Sequence, residues 1–172
     1  ILSYTADELW EHLPGERSPS VFTQLYYTGL PRLAGSGDFD SDFWQRLIAV
    51  RMEVNRELEA KRAAGEVRAG LEAEVDLYCD DELMAALELL GDELRFALIT
   101  SRASVHPLVA AGTDAVSGEL PGLRLLIRAS AHEKCERCWH RREDVGAHAE
   151  HPGLCERCVT NVEGSGEVRH FV

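Results

Sequence analysis

The feature that most constrains this chain is a set of four cysteines close together near its C-terminus. They form two C-x2-C pairs with sixteen residues between the pairs, and they are Cys135, Cys138, Cys155 and Cys158. Two such pairs can place four sulfurs about 2.3 Å from one ion, which completes a tetrahedron and leaves no position for water. The spacing therefore predicts one structural zinc ion that takes no part in catalysis.

The segment between the two cysteine pairs has little apolar material of its own. Its few apolar side chains, with those that flank it, are Trp139, Val145, Ala147, Ala149 and Leu154. This is too little to offset the entropy of ordering a unit of about 40 residues. Zinc binding supplies roughly 10 to 16 kcal/mol in small finger peptides. We therefore expect this tail to be unfolded without metal.

The other cysteine and histidine patterns favour different roles. Disulfides are disfavoured because nothing indicates secretion and cytosolic thiols stay reduced. A thioredoxin-like redox site is also disfavoured, because it needs one C-x-x-C beside a strand–helix unit, whereas this chain has two pairs flanked by charged residues. Cys79 stands apart, after an alternating segment, and is interpreted as a packed core thiol. Five histidines near the cysteines are interpreted as surface residues: His132, His140, His148, His151 and His170.

Composition and charge narrow the class of protein. The 172 residues correspond to one or two domains, and 45% of them are hydrophobic, enough for a packed core. Acidic residues outnumber basic ones 30 to 18, for a net charge of -12, which opposes a free-standing nucleic-acid binder. Any nucleic-acid contact must therefore be local.

The sequence carries no sign of membrane insertion or export. No apolar run reaches the ~18 to 20 residues that cross a bilayer, and the first residues lack the pattern of a secretory signal. We expect a cytoplasmic protein that makes no membrane contact and acts as a monomer. Because the chain begins at Ile1 and not at Met, we expect a piece of a longer protein.

Hydrophobic periodicity predicts an α+β fold. Thr5 and Glu8 indicate a capping box for a first helix, and residues 41–64 have a helical apolar stripe that stops at Gly65. From residue 71 to 78 the apolar period changes to two, which is typical of a strand. Two helices then follow, one capped by Asp80 or Asp81 and ended by Gly91, and one starting at Asp92. Two more strands are expected at residues 103–108 and 123–129.

The residues around the cysteines also carry a family resemblance. The motifs EKC-x2-CW, the Asp144-Val145-Gly146 triplet and LC-x-RC in the tail resemble the C-terminal zinc-binding extension of bacterial isoleucyl-tRNA synthetases. YTADELWEHLPGERSPSVF (4–22), FWQRLIAVRMEVNRELEAKR (43–62) and LEAEVDLY (71–78) are similar, in the same order, to segments upstream of that extension. The resemblance covers nearly the whole chain.

This resemblance implies three parts and a role. Residues 1–64 would be the end of a helical anticodon-binding domain, 65–130 a small α+β junction domain, and 131–172 a tetracysteine zinc finger. The family attaches isoleucine to its tRNA with ATP, but its H-x-G-H and K-M-S-K-S type signatures are absent from these residues. The implied role is therefore to hold the anticodon arm of isoleucine-specific tRNA, while the catalytic, ATP-binding domain and the other upstream domains lie outside this sequence.

Five side chains in the tail are candidates for RNA contact. An exposed indole can stack on an unpaired base, and guanidinium groups can pair with phosphate. Trp139 has the alternative of covering the zinc knuckle, and each arginine that of a solvated surface residue. The candidates are Arg137, Trp139, Arg141, Arg142 and Arg157.

Two other functions stay open at this point. Formamidopyrimidine-type DNA glycosylases have a C-terminal finger with two similar cysteine pairs, although the strand-rich middle of this chain does not fit the helical segment that precedes their finger. A purely structural module, in which zinc only closes the chain against the rest of an enzyme, is the other alternative.

Overall fold

The structure is a computed structural model that describes residues 2–30 and 37–171. Contacts divide the chain into two compact units, Ile1–Ala34 and Gly35–Val172, and each is described separately. The larger unit combines helices with a four-stranded mixed sheet, which confirms the predicted α+β class. The segment PRLAGSGDFD (31–40) has the composition of a surface loop, and most of it lies outside the described residues. The expected division at 64 and 130 stays a prediction.

The small unit contains helix α1 (Ser3–His12) and a 3-10 turn, Val21–Thr23. The prediction that Thr5 caps this helix was wrong: the capping position is Leu2, three residues earlier, and it has no side-chain cap. Side chains stabilise the unit instead. Asp7 accepts hydrogen bonds from the hydroxyl of Ser20 at 2.5 Å and from a backbone N–H at 3.1 Å.

Helix α2 (Ser41–Ala63) follows the predicted bounds closely. The Asp40 carboxylate accepts the Phe43 N–H at 2.9 Å and so caps the first turn, and Gly65 ends the segment with a φ of +75°. The helix buries a single stripe of side chains against the sheet, as the 3.6-residue period requires: Phe43, Leu47, Val50, Val54 and Leu58.

The sheet has the strand order β2-β1-β4-β3. Its strands are β1 (Ala73–Cys79), β2 (Arg102–Pro107), β3 (Val116–Ser117) and β4 (Leu123–Ala129). The sheet is mixed, since β1 is parallel to β2 but antiparallel to β4, and β3 is antiparallel to β4. The first strand begins two residues later than predicted because Gly70–Glu72 forms a 3-10 turn. Strand β3 was not predicted: it is only two exposed residues long.

Between β1 and β2 the chain crosses one face of the sheet through α3 (Asp81–Glu88) and α4 (Leu94–Leu98). The Asp80 carboxylate caps α3 through the Leu83 N–H at 2.9 Å, as predicted. The last helix, α5 (Glu156–Glu163), follows the second cysteine pair. Among the described residues, no helix is long and apolar enough to cross a bilayer.

Alternation along β1 separates a core face from a second, polar face. Val75 and Leu77 are fully buried with the side chains of α2, α3 and α4, whereas Glu74, Asp76 and Tyr78 point to the opposite face because successive strand residues alternate. Cys79 shares the core face and is 1% exposed, as expected of a packed thiol. Burial raises its pKa to about 12, and it is not part of the four-cysteine cluster.

Candidate zinc centre and its surroundings

The structure brings the four predicted ligands together. Their sulfur atoms all lie within 4.8 Å of one another, and the sulfurs of Cys138 and Cys155 are 3.7 Å apart. A tetrahedral zinc with Zn–S bonds of about 2.3 Å would set sulfur–sulfur distances of about 3.8 Å. Three of the four cysteines are at most 1% exposed. The residues therefore fit one structural zinc ion with a closed ligand shell.

Backbone hydrogen bonds shape the two knuckles around these sulfurs. In the first knuckle the Trp139 N–H donates to the Cys135 carbonyl at 2.9 Å, and the Cys135 N–H donates to the His140 carbonyl at 2.9 Å. In the second, the Cys155 N–H donates to the Cys135 sulfur at 3.4 Å, which joins the two knuckles. Donors directed at sulfur stabilise its thiolate form, the form that binds metal.

The ionisation of the thiols depends on their neighbours. Burial raises the pKa of Cys158, whereas the hydrogen bond from Cys155 lowers the pKa of Cys138. Zinc requires all four groups as thiolates. Four negative charges confined within 4.8 Å of one another repel each other strongly. A divalent cation between them would offset this repulsion and hold the four sulfurs together.

The zinc-binding tail is attached to the sheet through a buried serine. Ser101 is fully buried; its hydroxyl donates to the Leu71 carbonyl at 2.5 Å and accepts the Arg141 N–H at 2.7 Å. The Arg141 guanidinium also donates to the His132 carbonyl at 3.0 Å and reaches Glu72 at 3.4 Å. This junction holds the tail in a defined place beside the start of β1.

We expect Ser101→Ala to loosen the tail from the sheet. The change removes the shared partner of the Leu71 carbonyl and the Arg141 N–H, two partly buried groups, which should cost about 1 kcal/mol of unfolding free energy. Hydrogen exchange should become faster at Arg141 and its neighbours. Ser104→Ala, on the second sheet face, is the control; equal exchange rates in both variants would contradict the attachment.

One of the histidine assignments was wrong. His140 is only 7% exposed: its ring makes an edge-to-face contact with Phe96 at 5.7 Å, and Nδ1 lies 3.2 Å from the Cys138 carbonyl. A buried position results because the tail folds back on α4, which the local sequence does not reveal. The other four are partly or fully exposed, in keeping with the prediction.

Two of the predicted RNA contacts lie on the surface of the first knuckle. Trp139 is 59% exposed and has a φ of +66°, a backbone region that is costly for a bulky residue. Trp139 directly follows Cys138, and its ring is not among the side chains that pack on the buried cysteines. Arg137 is also exposed, with Nη1 3.6 Å from the Cys158 sulfur.

The other three predicted arginines have partners inside the protein. Arg141 is held at the serine junction, Arg142 lies 4.0 Å from Asp92, and Arg157 pairs with Glu167 at 2.7 Å. Although burial acts to lower it, the pKa of Arg157 is raised because Cys138 and Glu167 hydrogen-bond to the guanidinium. These three side chains contribute to the packing of the tail.

Sequence reasoning missed two residues near this centre. Lys134 lies with Nζ 5.3 Å from the centroid of the Trp139 ring, and its position just before the first ligand was the available signal. Phe96 receives Arg95 and Arg169 at 4.0 Å each and Arg157 at 5.2 Å. No local signal marks Phe96, because two of its three partners, Arg157 and Arg169, come from a distant part of the chain.

Comparisons with known proteins also indicate a zinc-binding site in this part of the chain. A family model described as a zinc finger found in FPG and IleRS matches residues 133–161. Isoleucine–tRNA ligase of Shewanella pealeana is 56% identical over 171 residues, and those of Shewanella halifaxensis and Pseudomonas paraeruginosa are 54% and 53% identical. Each match covers 99% of this chain but 18% of the relative. The chain thus spans less than a fifth of these relatives, and it fits the C-terminal, zinc-finger part of the isoleucine–tRNA ligase family.

Proposed function

We propose that this chain is the tRNA-binding C-terminal region of an isoleucine–tRNA ligase. In this proposal it positions the anticodon arm of isoleucine-specific tRNA, while a catalytic domain elsewhere in the enzyme uses ATP to attach isoleucine. The observation that carries the proposal is the exposed Trp139 ring on a knuckle whose backbone is set by metal ligands. A cytoplasmic location and action as a monomer are parts of the same proposal.

A rigid exposed indole suits single-stranded RNA. Base–aromatic stacking contributes about 1 to 3 kcal/mol per base, and an anticodon loop presents unstacked bases that proteins commonly recognise this way. If the Trp139 ring is already ordered in the free protein, less conformational entropy is lost when RNA binds. Trp139 directly follows Cys138 and its N–H donates to the Cys135 carbonyl at 2.9 Å, so the ligands and the ring belong to one knuckle.

Positive charge accompanies the ring. Lys134 and Arg137 lie five and two residues before it in sequence, and both side chains are exposed. Cations beside a stacking ring can neutralise the phosphates of the stacked nucleotide. This local patch answers the objection raised by the net charge of -12, because other surfaces of a complete ligase would share the binding of one tRNA.

The test is Trp139→Ala in the complete ligase. Loss of one stacked base should weaken tRNA affinity by about five- to a hundredfold and lower tRNA charging, while amino-acid activation measured by pyrophosphate exchange stays unchanged. Trp139→Phe should restore part of the affinity. Val109→Ala removes another exposed apolar side chain, 96% exposed, and should change nothing.

The same experiment separates the alternatives. Unchanged tRNA affinity in a folded Trp139→Ala enzyme with one zinc per chain would leave the tail a purely structural module, a role to which the inward-directed Arg141, Arg142 and Arg157 already contribute. A DNA glycosylase is disfavoured because the relatives named as isoleucine–tRNA ligases match 99% of the chain, whereas the shared finger model covers only residues 133–161.

A further inference from the structure

A second positively charged surface lies on the sheet, outside the zinc centre. It is the face of the sheet opposite the helices, called here the open sheet face. Strand pairing places β1, β2 and β4 residues side by side on it: Glu74, Asp76, Tyr78, Arg102, Ser104, His106, Arg124, Leu126 and Arg128. Three arginines thus accompany two carboxylates in a chain whose net charge is -12.

The carboxylates of this face are covered, whereas the guanidinium groups of Arg102 and Arg128 are not. The third arginine, Arg124, is partly buried and donates to the Gly112 carbonyl at 3.0 Å. The side chains of Asp76 and Glu74 are 8% and 15% exposed, whereas those of Arg102 and Arg128 are 46% and 53% exposed. Solvent therefore meets positive charge, although the acids lie directly beneath. An anion that approaches the open sheet face encounters the guanidinium groups first.

The buried acids also hold the cations in place. Asp76 contacts Arg128 through one carboxylate oxygen and, through the other, Arg102 at 3.5 Å and His106 at 3.2 Å. Each guanidinium has five N–H donors, and these contacts use only some of them. Ordering by Asp76 lowers the entropy that Arg102 and Arg128 would lose on binding a phosphate.

An aromatic side chain accompanies this charge. The ring of Tyr78 lies 5.2 Å from that of His106, with an angle of 31° between them, on adjacent strands of the same face. Flat rings interleaved with arginines on a four-stranded sheet are a surface that suits single-stranded nucleic acid. A protein partner would be expected to require a larger apolar centre than this face offers.

The open sheet face continues into the exposed knuckle of the zinc centre. At the end of β4, Ser130 donates to Glu74 at 2.6 Å, and His132 lies 3.7 Å from the same carboxylate. Two residues further, Lys134 lies over Trp139. The polar and basic side chains thus form a track from the sheet to the indole.

We propose that the open sheet face is a second RNA-contact surface, on which Arg102 and Arg128 bind backbone phosphates of the nucleic acid whose base stacks on Trp139. The proposal rests on the proposed function, since it assumes tRNA as the ligand. It assigns the phosphate contacts to the junction part of the chain, at residues that the sequence did not single out.

The test compares arginine variants of the complete ligase for affinity to isoleucine-specific tRNA at several salt concentrations. Arg102→Gln with Arg128→Gln should weaken binding by about tenfold or more and reduce the slope of log affinity against log salt by about 1 to 2. Arg46→Gln is the matched control, because Arg46 is also 46% exposed and ion-paired, with Glu82 at 2.6 Å, but lies on helix α2.

A second variant separates binding from folding. Removal of both arginines leaves the buried Asp76 carboxylate without its arginine partners, which would destabilise the fold. The variant Asp76→Asn with Arg128→Gln removes both members of one ion pair and so leaves no uncompensated carboxylate. This variant should still bind tRNA more weakly than the wild type, with an unchanged zinc content and melting temperature within a few degrees.

The outcomes distinguish this proposal from the one on which it rests. If folded variants at the open sheet face bind tRNA with wild-type affinity and salt slope while Trp139→Ala binds weakly, the sheet is covered by protein or unused, and the second surface is refuted alone. If Trp139→Ala is also unaffected, tRNA binding by this region is refuted altogether. Weakened binding in both sets supports the continuous track.

Discussion

Removal of zinc is expected to unfold the tail while the sheet remains folded. Among the described residues, the cluster of buried cysteines packs with the fourth ligand, Cys138, and with two partly buried apolar side chains, Val145 and Leu154, so the metal replaces a hydrophobic core there. Loss of roughly 10 to 16 kcal/mol of binding free energy exceeds anything those contacts supply. A chelator, or Cys155→Ser, should therefore abolish hydrogen-exchange protection across residues 133–163.

The sheet should keep its own protection in the same experiment. Its core, which includes Val50, Leu77 and Leu125, is a separate cluster of buried side chains. Cys79→Ala is the control variant: this thiol belongs to the sheet core, so zinc per chain measured by atomic emission should stay at one. Slow exchange in the tail after the zinc has been removed would contradict a metal-dependent fold.

Truncation of Leu77 should produce the largest loss of stability in the sheet. Leu77 is fully buried at the centre of β1, where β2 and β4 flank it on either side. Leu→Ala changes at such positions cost about 2 to 5 kcal/mol, through lost burial and the cavity that remains. We expect a correspondingly lower urea midpoint for the 172-residue chain with Leu77→Ala.

An exposed isoleucine, whose side chain is an isomer of that of leucine, provides the control for this prediction. Ile48 lies on α2 and is 58% exposed, so Ile48→Ala should change the free energy of unfolding by about 0.5 kcal/mol at most. Zinc content should be the same in both variants because neither residue touches the tail. Equal midpoints for the two variants would show that the β1 side chain is not in the core.

The local patterns of the sequence located most elements of the fold. Helix α2 was predicted within one residue because its apolar stripe and its Gly65 stop agree, and in the structure the Asp40 carboxylate caps it at the predicted start. The first helix was misplaced because a capping-box pattern at Thr5 competes with other contacts, and the structure starts that helix at Ser3 without a side-chain cap. Caps are weak signals, worth about 1 kcal/mol.

The candidate site was only partly visible in the sequence. Cysteine spacing predicted the ligand cluster, because each pair is local and only one ion had to join the two. The directions of the arginines were not predictable: Arg137 points to the surface, whereas Arg157 meets Glu167 and Phe96. A guanidinium takes whichever carboxylate or ring the folded chain brings near, and that depends on contacts between distant segments.

The sequence by itself determined the elements and the zinc ligands, since apolar period and cysteine spacing act over a few residues. Only the tertiary structure decided which charges face solvent. Asp76 and Glu74 became buried and Arg102 and Arg128 exposed when three strands from separate parts of the chain paired. A surface of this kind arises from strand pairing between distant segments, so no local pattern contains it.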